Sequence, residues 1–373
     1  MDFAFSPEQE QLREVVRRFL GQKSPESEVR RLMATAEGYD RAVWKQMARE
    51  LDLPGIAIPE SYGGSGFGHL ELSVILEEMG RALLCAPYFS TVVLAAGALL
   101  ASGDVTACET FLPRIAAGDL IATFAIPAGA ADDIPSVAAA RQQNGYTLNG
   151  FADHVIDGHT ADLIVVAAAL DGGPTSLFAV SPVSSLPEQA VKRTLRPSMD
   201  ETRKIARVEF NHAPATLIGE LGAGQRAIDS VRSTAAVALA SEQVGLCQWG
   251  LAASVGYAKT RYQFARPIGS FQAIKHKIAD MLVGLESAKA VAYYAAWAAD
   301  TDAADLAVIA SLAKSECSEI ALDVAAETIQ VHGGIGFTWE HPAHLYFKRA
   351  KSSELFLGTP GYHRELICQA LGV

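Results

Sequence analysis

Apolar residues recur at helical spacing through the first hundred positions, break into short runs between glycine, asparagine and proline, and regain helical spacing after Gln225. Ser6 is placed to cap a first helix, with Pro7 in its first turn and Glu10 nearby, and Leu12, Val15, Val16 and Phe19 follow on one face. A second helix is predicted over 70–84 from Leu72, Val74, Ile75 and Met79, with a glycine-bearing loop over 59–66 between the two. Strands are predicted at 122–126, 146–148, 163–166, 176–180 and 206–210, separated by turn residues such as Asn144-Gly145, Asn149-Gly150 and Asp171-Gly172-Gly173-Pro174. Short strands with frequent turns favour an antiparallel barrel or sandwich. Positions 229–257 lack proline and are alanine-rich, which predicts one long helix with Trp249, Leu251 and Val255 on a largely buried face. Further helices are predicted at 272–300, 303–331 and 360–371. The expectation is an α+β chain: a helical domain over 1–120, a β domain over 121–215, and a four-helix bundle over 220–373 that also builds a subunit interface.

Composition narrows the function classes. The 373 residues are half hydrophobic and one-fifth charged, the profile of a globular protein with more than one packed layer. A net charge of −11 argues against a nucleic-acid binder while leaving room for a local basic pocket that holds a phosphorylated cofactor. Five cysteines without a Cys-x-x-Cys pair read as reduced thiols. The N-terminus lacks a signal-peptide pattern, and no apolar run is long enough to span a membrane, so a cytoplasmic protein is expected.

The chemistry lies in the last third. Arg261-Tyr262-Gln263-Phe264-Ala265-Arg266-Pro267-Ile268-Gly269 is followed by Gln272, and further on stand Gln330-Val331-His332-Gly333-Gly334-Ile335-Gly336-Phe337, a basic helix, and Leu357-Gly358-Thr359. With the first helix, the 55–66 loop and Tyr146-Thr147-Leu148-Asn149-Gly150, these segments occur in the order found in the acyl-CoA dehydrogenases, and the chain resembles that family nearly end to end. The resemblance implies FAD-dependent α,β-dehydrogenation of an acyl-CoA thioester, with an electron-transfer flavoprotein as acceptor. It assigns Arg261, Phe264 and Gln272 to the adenosine diphosphate end of a FAD reaching over from a neighbouring subunit. The same resemblance implies that Gln330, Gly333 and Gly334 form the complementary loop and that Thr359 belongs to the cofactor set. A fixed guanidinium fork suits pyrophosphate, an aromatic ring suits adenine or ribose, and glycines let backbone N–H groups approach phosphates. Lys275, His276 and Lys277 read instead as a solvated helix face.

Two features of the family pattern are absent. The glutamate that usually precedes the Gly-Thr pair and takes the substrate's α proton is Leu357, and the alternative position for that acid, on the long helix, falls on Ala235. Glu242 stands seven residues later, two helical turns and roughly 10 Å further along nearly the same face. Its apolar flanks would raise its pKa towards that of a general base, or it bonds to another helix or a subunit neighbour. Glu354 and Glu365 rank below it. The flavin-ring cradle also departs from the family pattern: Ala125-Ile126-Pro127-Ala128-Gly129-Ala130-Ala131-Asp132 lacks the threonine, glutamate and serine, and His154-Val155-Ile156 replaces the Trp-Ile-Thr. Three readings follow: a subunit of an α2β2 heteromer whose homologous partner carries the base, a self-sufficient homotetramer using a displaced acid such as Glu242, or a non-enzymatic relative.

Overall fold

Ser6 starts the first helix by accepting from the Gln9 backbone N–H, while the Gln9 side chain reaches back to the Ser6 N–H, a reciprocal capping box. The reciprocal partner is therefore Gln9 rather than the Glu10 noted in the sequence. The computed structural model describes residues 5–126, 136–143 and 145–373. Among the described residues six α-helices come first: α1 (Pro7–Lys23), α2 (Glu26–Met33), α3 (Arg41–Leu51), α4 (His69–Arg81), α5 (Ala96–Ser102), which continues a π-helical stretch over Phe89–Ala95, and α6 (Val105–Ala116). Strands β1 (Ala122–Ala125), β2 (Val137–Gln142), β3 (Gly145–Ile156), β4 (Leu163–Leu170), β5 (Thr175–Val180), β6 (Val191–Arg196) and β7 (Ile205–Ile218) follow. The long helix α7 (Gly224–Thr260) leads into a tight hairpin of β8 (Tyr262–Gln263) and β9 (Arg266–Pro267). Helices α8 (Gln272–Asp300), α9 (Leu306–His332), α10 (Ala343–Leu355) and α11 (Pro360–Leu371) complete the chain.

The chain divides into two compact units. One contains residues 31–68 and 85–235 and is centred on the sheet. Within it β4, β2, β3, β7 and β5 close on themselves, because β4 pairs with both β2 and β5, while β1 adds to β4 and β6 to β7. Closure removes most unpaired edges. Leu148, Ile164, Val166, Phe178, Val180, Val208 and Phe210 fill the interior. The sheet is mixed rather than purely antiparallel, since β1 and β2 both run parallel to β4. Asn149-Gly150 is not a turn between strands but lies inside β3 at a register shift. Gly150 adopts φ 121°, and a Cβ there would stand 2.2 Å from the Ser136 carbonyl oxygen, so a bulge takes the place of a chain reversal.

The other unit joins α1 and α4 to the C-terminal helices. Helices α4 and α7 cross with their backbones in contact: a Cβ at Gly245 would fall 1.9 Å from the Glu77 carbonyl oxygen, and one at Gly80 2.0 Å from that of Glu242. Charged groups line this crossing. Glu77 is fully buried, pairs with Arg13, and accepts from Tyr293 Oη at 2.7 Å, while Arg17 holds Glu78 at 2.6 Å. The most deeply buried stretch of α7 lies over 235–247. Trp249, Leu251 and Val255, expected on that face, are only half-buried, because the last turns of the helix are covered less completely.

Candidate functional site

The hairpin after α7 is built to display two side chains. Ile268 N–H donates to Arg261 C=O at 2.8 Å, and Gln263 pairs with Arg266, so residues 264 and 265 alone make the tip. Phe264 (φ 51°) and Ala265 (φ 59°) both adopt the left-handed conformation, in a turn class that normally takes Asn-Gly. Two non-glycine residues there cost on the order of 1 kcal/mol each, a strain of the kind that clusters at functional sites. The Phe264 ring is 87% exposed and meets Phe271 edge-on, with centroids 6.0 Å apart. Arg261 is exposed and, among the described residues, its guanidinium makes no ion pair or hydrogen bond. Gln272 is exposed at the first position of α8.

The end of α9 supplies the second half. Gln330 is exposed on its last turn, and Gly333 leaves the helix at φ 62°, ψ −138°, a conformation essentially restricted to glycine. A Cβ at Gly333 or Gly334 would meet nothing within 4 Å. Internal packing therefore does not demand glycine at 334, and the backbone there is open to an outside group. Tyr257 stacks on His332 with centroids 4.5 Å apart, which brings the C-terminal ends of α7 and α9 together and puts the hairpin and the glycine loop at one end of this unit. Ile335, Phe337 and Trp339 are exposed beside the loop. A free guanidinium, a displayed aromatic ring and open backbone fit the phosphate and adenosine portions of FAD. Thr359 is exposed and caps α11, accepting from Tyr362 N–H at 3.4 Å. Lys275 and His276 are exposed, whereas Lys277 forms a 2.7 Å ion pair with Glu327.

Leu357, the position to which the resemblance assigns the family's acid, has a constrained backbone. Leu357 adopts φ 62° and Gly358 φ 108°, immediately after α10 ends. Lys314, fully buried on α9, donates to the carbonyls of Glu354 (3.0 Å) and Gly358 (3.1 Å), and His363 Nε2 lies 3.0 Å from that of Leu357. Ala235 is fully buried. Glu242 is buried too, with its carboxylate 3.2 Å from the buried Arg349 guanidinium of α10, the arrangement of a carboxylate bonded to another helix. Glu354 pairs with Lys351, and Glu365 accepts from Gln369 at 3.0 Å. Lys314 and Arg349 drew no attention in the sequence, where a lone cation in a helix usually faces solvent. Only packing puts these two inside.

In the sheet-centred unit, His154 sits exposed at φ 57°, within the second register shift of β3, while Val155 and Ile156 turn inward. Of the segment expected to lack the flavin-contacting hydroxyls, residues 127–132 lie outside the described residues.

Several histidines of the helical unit are held neutral. Burial, reinforced by Lys348, brings His344 down to about 4, and burial with Lys314 does the same for His363. Burial also lowers His332 and His341. The unfolded chain takes up these protons near pH 6.5, and the folded chain takes up those of His344 and His363 only near pH 4, so acidification favours unfolding. Stability is thus expected to be complete above pH 6.5 and to fall towards pH 4. Thermal unfolding between pH 7.5 and pH 5 checks this, and the double variant His344→Gln/His363→Gln should give a shallower slope.

Comparison with known proteins agrees with this architecture. Residues 6–119 match the acyl-CoA dehydrogenase N-terminal domain and residues 222–372 the C-terminal domain. The chain is 33% identical to acyl-CoA dehydrogenase IpdE2 of Mycobacterium tuberculosis, over 95% of this chain and 94% of that protein. It belongs to the acyl-CoA dehydrogenase family. Among solved structures, a chain of the ChsE4-ChsE5 complex from Mycobacterium tuberculosis superposes with a TM-score of 0.89 at 29% identity, covering 100% of this chain and 99% of that one. A steroid acyl-CoA dehydrogenase variant, Tcur3481-Tcur3483, gives 0.87 at 28% identity over 98% of both chains. FAD is the cofactor of this family, and no helix among the described residues is long and apolar enough to cross a membrane.

Proposed function

We propose that this chain is the FAD-clamping subunit of a heteromeric acyl-CoA dehydrogenase, assembled with a homologous partner that carries the base. The observation that carries the reading is the hairpin tip: a strained turn presents Phe264 outward beside an Arg261 with no partner among the described residues. Groups displayed this way at a cost in backbone energy are matched to something outside the chain. Arg261, Phe264, Gln272, Gln330, Gly333, Gly334 and Thr359 would hold the cofactor, with Arg261 offset against pyrophosphate charge and Gly333-Gly334 leaving backbone N–H groups approachable. When bound, FAD accepts the hydride lost from the β carbon of an acyl-CoA thioester. Leu357 cannot take the accompanying proton, and we assign the buried Glu242 to the ion pair with Arg349 rather than to proton transfer. The ChsE4-ChsE5 neighbour is a complex of two differently named chains, which supports a paired assembly. An electron-transfer flavoprotein is the acceptor we expect.

Expression alone and with a homologous chain bearing a glutamate before its Gly-Thr pair tests the proposal. The expected result is little flavin in the isolated chain and a yellow, acyl-CoA-oxidising complex on co-expression. A fully flavinylated, active homotetramer from this chain alone would overturn it.

A further inference from the structure

We propose that Lys314 is a positioning residue that sets the backbone from which Leu357, Gly358 and Thr359 project. The inference rests on the cofactor role proposed for Thr359. Helix α10 ends at Leu355, and a helix end leaves carbonyls without intrahelical donors. Water does not reach the inner side of this turn, because Lys314 is fully buried beneath it. The three ammonium donors match three acceptors: Glu354 C=O at 3.0 Å, Gly358 C=O at 3.1 Å and Ser318 Oγ at 3.1 Å. The intervening Leu357 carbonyl takes the His363 Nε2–H at 3.0 Å. Three carbonyls of one short turn are therefore drawn inward by two buried side chains.

That arrangement accounts for the local strain. Leu357 is a bulky residue at φ 62°, where leucine is rare, and Gly358 at φ 108° has the Tyr362 ring so close that a Cβ would lie 2.3 Å from it. Holding the carbonyls of residues 354, 357 and 358 inward leaves these dihedrals little freedom, and Thr359 then enters α11 as its cap. The support runs deeper still. Gln243 of α7 bonds Ser318 at 3.1 Å, and its neighbour Glu242 holds Arg349 of α10. Helix α7 thus reaches the turn by two routes, one through Ser318 and Lys314 and one through α10 itself. The charge on Lys314 favours this use, because a cation stabilises the carbonyl end of a helix. The residue this turn displays is an alkyl group, and what the held backbone positions beyond it is the Gly358-Thr359 pair.

Lys314→Met keeps an unbranched side chain, one heavy atom shorter, and removes every donor. Lys314→Gln, the second variant, keeps one donor group and covers the case in which Lys314→Met does not fold. Amide hydrogen exchange on the chain without flavin should show residues 356–359 exchanging at least tenfold faster in the variant, with α1 and α8 unchanged. The flavin-loaded protein, in whichever assembly carries it, should lose FAD more readily and show an altered visible absorbance envelope on addition of an acyl-CoA. Unchanged exchange at 356–359 in a folded variant overturns the proposal. Faster exchange with unchanged FAD retention and spectrum overturns it as well. Because the exchange arm needs no partner and no cofactor, its failure is separable from failure of the heteromeric reading.

Discussion

Replacing Arg349 by methionine is expected to lower the stability of the chain by about 3–5 kcal/mol, because it takes the guanidinium away from a carboxylate that water cannot reach. Glu242 and Arg349 are each about 3% exposed and stand 3.2 Å apart between α7 and α10. Once the cation is gone, the glutamate must either remain charged in a poorly solvating interior or take up a proton to stay buried. Both cost free energy. The double variant Glu242→Leu/Arg349→Met should recover most of the loss, since replacing a buried pair with apolar residues is often neutral. Urea unfolding followed by far-UV circular dichroism measures all three proteins. A single variant within about 0.5 kcal/mol of the parent, the range of ordinary surface changes, would show that the pair is not a structural element.

The second large effect concerns binding and should leave the fold untouched. Arg261→Ala is expected to weaken FAD retention in the flavin-loaded assembly by roughly 10- to 100-fold, since a hydrogen bond to a charged group contributes about 1.5–3 kcal/mol. Among the described residues that guanidinium makes no ion pair or hydrogen bond, so the isolated variant should unfold like the parent. Phe264→Ala should also release FAD more readily, through lost ring contact, but with a weaker dependence on salt than the arginine variant shows. Flavin fluorescence during dilution measures the release. Retention equal to that of the parent in the arginine variant would remove Arg261 from the cofactor site.

Long periodic segments were the most legible part of this molecule. Helices α8 and α11 begin and end where the apolar spacing and Pro360 place them, because a long run of one period overrides local ambiguity. Strands β2 and β6 were missed for the opposite reason. Val137-Ala138-Ala139-Ala140 has little β-branched character, and Val191-Lys192-Arg193-Thr194-Leu195-Arg196 is a mostly exposed strand paired with β7, so each is specified by its neighbours. Asn149-Gly150 misled because a glycine at positive φ serves a bulge as readily as a turn.

The sequence alone determined the class of the chain, the order of its helical and β segments, and the presence of a leucine before the Gly358-Thr359 pair, since these depend on residue identity and spacing. It also singled out Arg261, Phe264 and Gly333-Gly334 as a group. Tertiary structure alone decided that Glu242 faces Arg349, that Lys314 lies under the 354–358 turn, and that Phe264 stands on a strained tip. Each depends on which groups meet across helices or on a backbone angle, and a charged side chain in an alanine-rich helix does not reveal by itself whether it faces water or a partner.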